Sequence, residues 1–357
     1  MTWLTWRQAR AQALVAWAVA ITFALVLAAT GPHLLDDYRA DQDQFLKLIS
    51  SNRLDVAFYL VGLALLYAVP PLIGAFWGAP LIARELDAGT HRLVWTQSIT
   101  RTRWLAVKLG GAALVATAVT GLLSLAVFWW ASPIDRSIDH GQLAGPFALA
   151  RISPLGFGAR GIVPIGYTAF GLALGVAVGL VLRRSVPAIA LTLTLMVAVQ
   201  LALPLVVRAH LAAPVKQTLT ITADNLHGLM IRGDPSTGPT GPVRDLKVAG
   251  DDGPADWELS NRTVDAQGAT VGELPNWVSN CLPAKIVRPT ATGDTAELKA
   301  RSDACFARLS SEGYRQVISY QPAARFWTLQ WRETGLLLGA ALLLTGFCFW
   351  RINRDLA

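Results

Sequence analysis

The stretch GIVPIGYTAFGLALGVAVGLVL, residues 161–182, contains no Asp, Glu, Lys or Arg. A helix needs about 20 apolar residues to cross about 30 Å of hydrocarbon, so this run is long enough to span a membrane. Five further charge-free runs cover residues 11–35, 56–83, 109–134, 185–207 and 334–350. A soluble protein would have to bury six such runs at once, so we interpret the chain as an integral membrane protein with six spans.

The two ends of the chain carry aromatic residues typical of a membrane interface. The last charge-free run has only 17 residues, and Phe326, Trp327 and Trp331 precede it. Residues 3–10 mix tryptophan with arginine, which predicts a short interfacial helix before the first span.

Charge predicts the orientation of the spans. If both termini are cytoplasmic, the cytoplasmic segments hold 11 Lys/Arg and 3 Asp/Glu in 44 residues. The opposite segments hold 20 Lys/Arg and 21 Asp/Glu in 172 residues. Because cytoplasmic loops are enriched in Lys and Arg, we expect both termini inside. The net charge of +7 is then a topology signal and requires no nucleic acid partner. The abundance of Arg, Ala and Gly suggests a GC-rich bacterial genome. Together with the six spans, this predicts a multi-pass protein of the bacterial cytoplasmic membrane.

The segment between the last two spans is long enough for a domain of its own. Residues 215–222 and 315–320 alternate like strands, and residues 302–309 resemble a short capped helix. We therefore expect an all-α polytopic membrane protein with six transmembrane helices and a small mixed α/β extracytoplasmic domain before the last helix. The predicted parts are residues 1–207 with the first five spans, 208–333 as the outer domain, and 334–357 with the sixth span.

Cysteine usage agrees with that orientation. Cys281 and Cys305 both fall in the outer domain, on the oxidising side, and we expect them to form a disulfide bond, although two unpaired thiols remain an alternative. Cys348 lies in the last span and is interpreted as a small apolar residue. Zinc is not expected, because no His stands at ligand spacing from the cysteines.

Small residues recur every four positions in the fourth span, at Gly171, Gly175 and Gly179. Such spacing lets helix backbones approach closely, either within one protomer or between subunits. Pro70 and Pro71 are expected to kink the second span, because proline removes a backbone hydrogen bond.

Several motifs are missing. As delimited above, the spans contain no charged residue, which argues against a proton-driven carrier. The chain has no GxxxxGK[ST] phosphate loop, so it is not expected to hydrolyse ATP, and no catalytic motif suggests an enzyme.

The largest cytoplasmic loop, residues 84–108, reads RELDAGTHRLVWTQSITRTRWLAVK. The second span is expected to continue as a helix that stops at Gly89, and Thr90 caps a new short helix. Ser98 or Thr100 then caps the helix that enters the third span. This predicts a helical elbow that passes force from a soluble partner to two spans, although an ordinary basic connection fits the same periodicity.

The sequence of this elbow resembles the intracellular loop of permeases of type-2 ATP-binding-cassette (ABC) exporters. The resemblance rests on Arg84-Glu85-x-x-x-Gly89-Thr90, followed by Thr100-Arg101 and Lys108. The layout is similar to actinobacterial permeases with a large outer loop between the fifth and sixth spans. One departure is Gln97-Ser98-Ile99, where many relatives place a proline.

The resemblance implies a half-transporter. Two such permease subunits, identical or different, would pair in the lipid membrane with two copies of a separate ABC ATPase subunit, which binds ATP and Mg while this chain binds no cofactor. Residues that would shape or flank the contact with the ATPase are Arg84, Glu85, Gly89, Thr90, Thr100, Arg101 and Arg103. Glu85 has an alternative role as a solvated partner of nearby arginines.

Two other classes fit parts of the sequence. A membrane-anchored sensor or regulatory protein would use the outer domain to bind a ligand, but only 44 cytoplasmic residues remain for signalling. A polytopic membrane enzyme would need clustered carboxylates at one face, for which the acidic residues 36–55 are a weak candidate.

Overall fold

A computed structural model describes residues 2–87, 100–231, 243–281 and 296–354. Within them six helices are long and apolar enough to cross a membrane, which confirms the predicted spans. In chain order, spans one to six are Arg10–Ala40, Arg53–Asp87, Arg101–Trp130, Val163–Leu182, Ser185–His210 and Ala323–Arg354. The chain divides into a membrane unit, Met1–Ala212 with Ala323–Ala357, and an inserted unit, Ala213–Pro322.

The first span belongs to one unbroken helix, α1 (Thr2–Ala40). The prediction of a separate interfacial helix over residues 3–10 is therefore wrong, because these residues and the first span form one continuous helix. At 39 residues and 1.5 Å per residue, α1 is about 58 Å long, far more than the hydrocarbon thickness.

The second span is a composite helix. It follows the short α2 (Phe45–Ser51) and consists of α3 (Arg53–Ile73), a π-helical turn (Gly74–Gly78) and α4 (Ala79–Asp87). Pro70 and Pro71, where a kink is predicted, stand just before the π-helical turn. The first residue of that turn, Gly74, donates its N–H to the carbonyls of both prolines.

Glycine brings the second span against the fourth, the helix α8 (Val163–Leu182). A Cβ atom at Gly74 would lie 2.6 Å from the Gly171 carbonyl oxygen, and one at Gly175 would lie 2.7 Å from the Ala79 nitrogen. Gly179 likewise meets the Ala79 carbonyl. The glycine row therefore lies at a backbone contact inside one chain.

The other helices complete the membrane unit. They are α5 (Arg101–Trp130), α6 (Ser132–Asp139), α7 (Pro154–Phe157), α9 (Ser185–Ala202) and α11 (Phe326–Arg354). The helix α9 continues through a π-helical turn, Leu203–Val207, and a 3-10 turn, Arg208–His210. Following the chain, residues 84–108 join spans at one end of the bundle, called here the elbow end. Residues 131–162 join spans at the other, called here the distal end.

The inserted unit is mixed α/β, as expected. Its elements are β1 (Val215–Leu219), β2 (Leu226–Ile231), β3 (Val243–Val248), β4 (Trp257–Val264), α10 (Ala296–Ser311) and β5 (Arg315–Gln321). One antiparallel sheet has the order β1-β5-β4, and β2 pairs with β3 in a second. Buried apolar side chains from β3, α10 and the intervening turns, among them Leu246, Val278 and Phe306, form its core.

The predicted limits of the inserted domain need correction at both ends. The unit covers Ala213–Pro322 and not 208–333, because Arg208 belongs to the end of the fifth span and the sixth span already begins near Phe326. The aromatic residues before the last charge-free run are thus part of α11.

Candidate functional site

The base of the elbow contains an ion pair between spans two and three. Glu85, near the end of α4, accepts a hydrogen bond from Lys108 Nζ, two turns into α5. Their side chains are 19% and 7% exposed, respectively. The Lys108 Nζ also lies 4.9 Å from the centre of the Trp104 ring. The pair therefore fixes α4 to α5 at the point where the loop between them leaves the bundle.

Thr100, one of the two residues predicted as the cap, begins the helix on the far side of the elbow. Its backbone is extended, and its hydroxyl accepts the Arg103 N–H at 3.4 Å, the geometry of an N-cap. Arg84 and Arg103 are exposed, and Arg101 is half-buried. Gly89 and Thr90, with the rest of residues 88–99, lie outside the described residues.

An apolar cluster includes Trp104, whose ring lies beside Lys108 of the ion pair. Ile82 of α4, Trp104 and Leu105 of α5, Leu180 of α8 and Ile352 of α11 are buried together there. Cys348 belongs to the same cluster and is a free thiol, consistent with its interpretation as a small apolar residue. Spans two, three, four and six all contribute side chains to this cluster. Because the cluster is closely packed, a movement of α4 and α5 would also displace α8 and α11.

The distal end contains a second and fully buried ion pair. Arg208 Nε donates to Glu333 Oε2 at 2.7 Å and Arg208 Nη2 donates to Glu333 Oε1 at 2.9 Å. Neither side chain is exposed. The expectation that no charged residue lies within a span is therefore wrong, because Arg208 and Glu333 belong to the helices of spans five and six.

Three neighbours complete the surroundings of this pair. Tyr167 of α8 donates its hydroxyl to Glu333 Oε1 at 3.1 Å. The Arg208 guanidinium lies 4.2 Å from the centre of the Phe157 ring, and its Nη1 donates to the Pro154 carbonyl at 2.9 Å. The charges are thus compensated and bonded, as buried ions require.

A third buried pair lies in the connection between spans three and four. Arg160 Nε donates to Asp135 Oδ2 at 3.4 Å, and the two side chains are 1% and 5% exposed. Burial raises the pKa of the Asp135 carboxyl, while the adjacent Arg160 guanidinium opposes that shift.

Gln330 of α11 bonds to the same connection. Its Oε1 accepts the N–H groups of Ile162 and Val163, and its Nε2 donates to the carbonyls of Phe157 and Arg160. A single buried amide thus satisfies four backbone groups of residues 157–163.

The sequence did not single out Arg208, Glu333 or Gln330. The span limits were placed at charged residues, which assigned Arg208 and Glu333 to a loop by construction. The apolar and aromatic residues 326–331 before Glu333 were the signal that the last helix begins earlier. Among the described residues, no group of three or more His, Cys, Asp or Glu side chains is placed to hold a metal ion.

Comparison with known protein families gives a match to the first five spans. Residues 14–208 match the family described as ABC-2 membrane transporter related. No curated protein and no solved structure matches the chain significantly. The matched region contains spans one to five and the elbow, and it exceeds half of the 357 residues. The chain therefore belongs to the ABC-2 membrane transporter related family, and it is a membrane permease of the ABC type.

Proposed function

We propose that this permease is the membrane-spanning subunit of an exporter, and that it moves its substrate with ATP hydrolysed by a separate ABC ATPase. The observation that carries the proposal is the Glu85–Lys108 pair, which joins spans two and three at the base of the elbow. Membership of a transporter family supports this function over a membrane-anchored sensor or an enzyme. ATP and Mg would be held by the partner, and this chain would act as a transport subunit without catalytic residues.

The proposed coupling uses the elbow as a lever. The ATPase would press on the loop between Glu85 and Thr100, near the exposed Arg84 and Arg103. Because Glu85 and Lys108 hold α4 and α5 together, the two helices would move as one body. The apolar cluster around Trp104 and Leu105 would pass that motion to spans four and six. Two permease subunits, identical or different, would form the complete transporter with two ATPases.

The first prediction tests this lever. Glu85→Ala should lower substrate-stimulated ATP hydrolysis by about tenfold, because Lys108 loses its carboxylate partner and α4 is released from α5. A factor of this size lies within the usual range for the coupling between two sites. Gly89→Pro should have a similar effect if the helix ends at Gly89 in a left-handed break. The measurement is ATPase co-purification and substrate-stimulated hydrolysis in one detergent.

Two controls make the lever test specific. Asp87→Ala removes an exposed carboxylate two residues further along α4 and should leave hydrolysis unchanged. The double exchange Glu85→Lys with Lys108→Glu should restore part of the coupling, since it restores an ion pair. A chain that purifies alone, transports without an ATPase and tolerates Glu85→Ala would contradict the proposed function.

The second prediction concerns orientation, which we propose has both termini in the cytoplasm. In intact cells, Ala88→Cys and Ser98→Cys should be protected from a membrane-impermeant thiol reagent, whereas Ser236→Cys should be labelled. The reason is the excess of Lys and Arg in the segments on the elbow side. All three positions lie outside the described residues. Labelling at Ala88→Cys with protection at Ser236→Cys would invert the topology.

The third prediction is a disulfide bond between Cys281 and Cys305 in the inserted unit. The side chain of Cys281 lies outside those described, so the pairing stays a prediction. If the unit is extracytoplasmic, a disulfide bond between the two cysteines would stabilise its fold by about 3–4 kcal/mol in the chain-entropy model. Peptide mapping without reductant should find the two cysteines linked. Complete alkylation of both thiols under those conditions would disprove the bond.

A further inference from the structure

The connection between spans three and four ends in a segment whose backbone is bonded by side chains from four spans. This cap segment is residues 154–162, and Phe157, Ala159 and Arg160 within it are buried. Tyr67 of span two donates a hydrogen bond to the Leu155 carbonyl, and Ser124 of span three donates one to the Gly161 carbonyl. Arg208 of span five donates to the Pro154 carbonyl, and Gln330 of span six accepts the Ile162 N–H. Irregular backbone at a membrane-protein interior needs such partners, or water, to satisfy its polar groups.

Gln330 makes the largest share of these bonds. It is fully buried, and its four hydrogen bonds to the segment and the adjoining Val163 measure 2.9–3.2 Å. Gly161 allows the amide to approach this closely. It has φ of 64°, and a Cβ atom there would lie 2.8 Å from Gln330 Oε1. The segment is therefore shaped to receive this one side chain.

Three buried hydroxyl groups lie beneath the cap segment, on spans three, four and six, and are called here the polar layer. Thr120 and Thr168 share a hydrogen bond of 3.0 Å between their hydroxyls. Thr334 of α11 packs against Gly166 of α8. Eight residues separate Thr334 from the start of α11, which places it about 12 Å inside the bundle, and Thr120 lies at a comparable depth of about 15 Å.

Thr334 distinguishes this layer from ordinary helix packing. Its side chain is 5% exposed, and no described residue provides a hydrogen-bond partner for its hydroxyl. Thr120 and Thr168, by contrast, also bond to carbonyls of their own helices. A buried hydroxyl without a partner is costly in a dry interior and is satisfied when water enters.

We propose that the cap segment is a closure over a water-accessible part of the transport pathway, and that Gln330 is the positioning residue that holds it closed. In the closed state the segment excludes water from the layer containing Thr334. The bonds that hold the segment come from side chains of separate spans, so a rearrangement of those spans breaks them. Water and polar groups of a transported molecule then reach Thr120, Thr168 and Thr334.

The experiment measures thiol reactivity at the layer in the full-length chain. Thr334→Cys is reacted in detergent with the small cation 2-(trimethylammonium)ethyl methanethiosulfonate, and the modified peptide is quantified by mass spectrometry. With Gln330 present the reaction should be slow. In Gln330→Leu it should be faster by on the order of tenfold or more, since loss of even one net hydrogen bond shifts an opening equilibrium by about that factor.

Two controls separate a closure from general loosening. Gln200→Leu removes another amide of the spans, which donates to the Tyr67 carbonyl at 3.0 Å and does not bond to the cap segment, and it should leave the rate unchanged. Cys348, free and buried in the cluster at the elbow end, is an internal control and should stay unreactive throughout. An unchanged rate at Thr334→Cys, or a parallel rise at Cys348, would overturn the proposal.

A milder substitution covers the case in which Gln330→Leu does not fold. At a pH that ionises the new carboxyl, Gln330→Glu keeps the acceptor for Ile162 and Val163 but loses the donor to Phe157 and Arg160. A faster reaction at Thr334→Cys with unreactive Cys348 supports the closure, and an unchanged rate refutes it. The experiment uses this chain alone, so its result is independent of the proposed coupling to an ATPase.

Discussion

Replacing Glu333 by leucine should destabilise the membrane unit by about 3–5 kcal/mol, because it leaves the fully buried Arg208 guanidinium without a counter-charge. Tyr167 loses its acceptor in the same step. For a unit of this size the midpoint of thermal unfolding should fall by about 10 °C, measured in detergent by circular dichroism or tryptophan fluorescence.

The double substitution Arg208→Met with Glu333→Leu should recover much of that loss. Replacing both members of a buried pair by apolar residues is often nearly neutral, whereas removing one member is not. A double-mutant cycle then gives the interaction energy. Asp36→Ala, which removes one partner of the exposed Asp36–Arg39 pair, should cost under about 1 kcal/mol. Equal effects of Glu333→Leu and Asp36→Ala would mean that water reaches the Arg208–Glu333 pair.

Gly175→Ala should have the second largest effect and lower the free energy of unfolding of the membrane unit by about 3 kcal/mol. The new Cβ atom would meet the Gly74 carbonyl and lie 2.7 Å from the Ala79 nitrogen. These are backbone atoms of the second span, which cannot rotate away, so spans two and four must separate.

The matched control is Gly335→Ala in α11, where an added Cβ atom meets nothing within 4 Å. That change should be neutral or slightly stabilising, since alanine favours the helix. The two variants are compared by their unfolding midpoints and by their elution on size exclusion. If both behave alike, the contact between spans two and four is too loose to depend on glycine.

Local sequence was sufficient for the features that depend on local physics. The six spans followed from length and hydrophobicity, because the cost of unpaired backbone in lipid leaves a helix as the favoured structure of such a run. The sequence offered Ser98 or Thr100 as the cap of the helix that enters the third span, and the structure has Thr100 as the N-cap. Alternation predicted strands over residues 215–222 and 315–320, where β1 and β5 are found, and the glycine row indicated close approach of backbones.

Long-range pairing required the tertiary structure. Arg208 and Glu333 stand 125 residues apart, and Gln330 stands about 170 residues from Arg160. Hydropathy places the boundaries of spans at the charged residues Arg208, Glu333 and Arg160, since an unpaired charge in hydrocarbon is unfavourable. Pairing removes that cost, so the same residues lie inside the bundle. The sequence by itself determined which segments enter the membrane, whereas the tertiary structure decided which helix ends meet and therefore which polar groups are buried together.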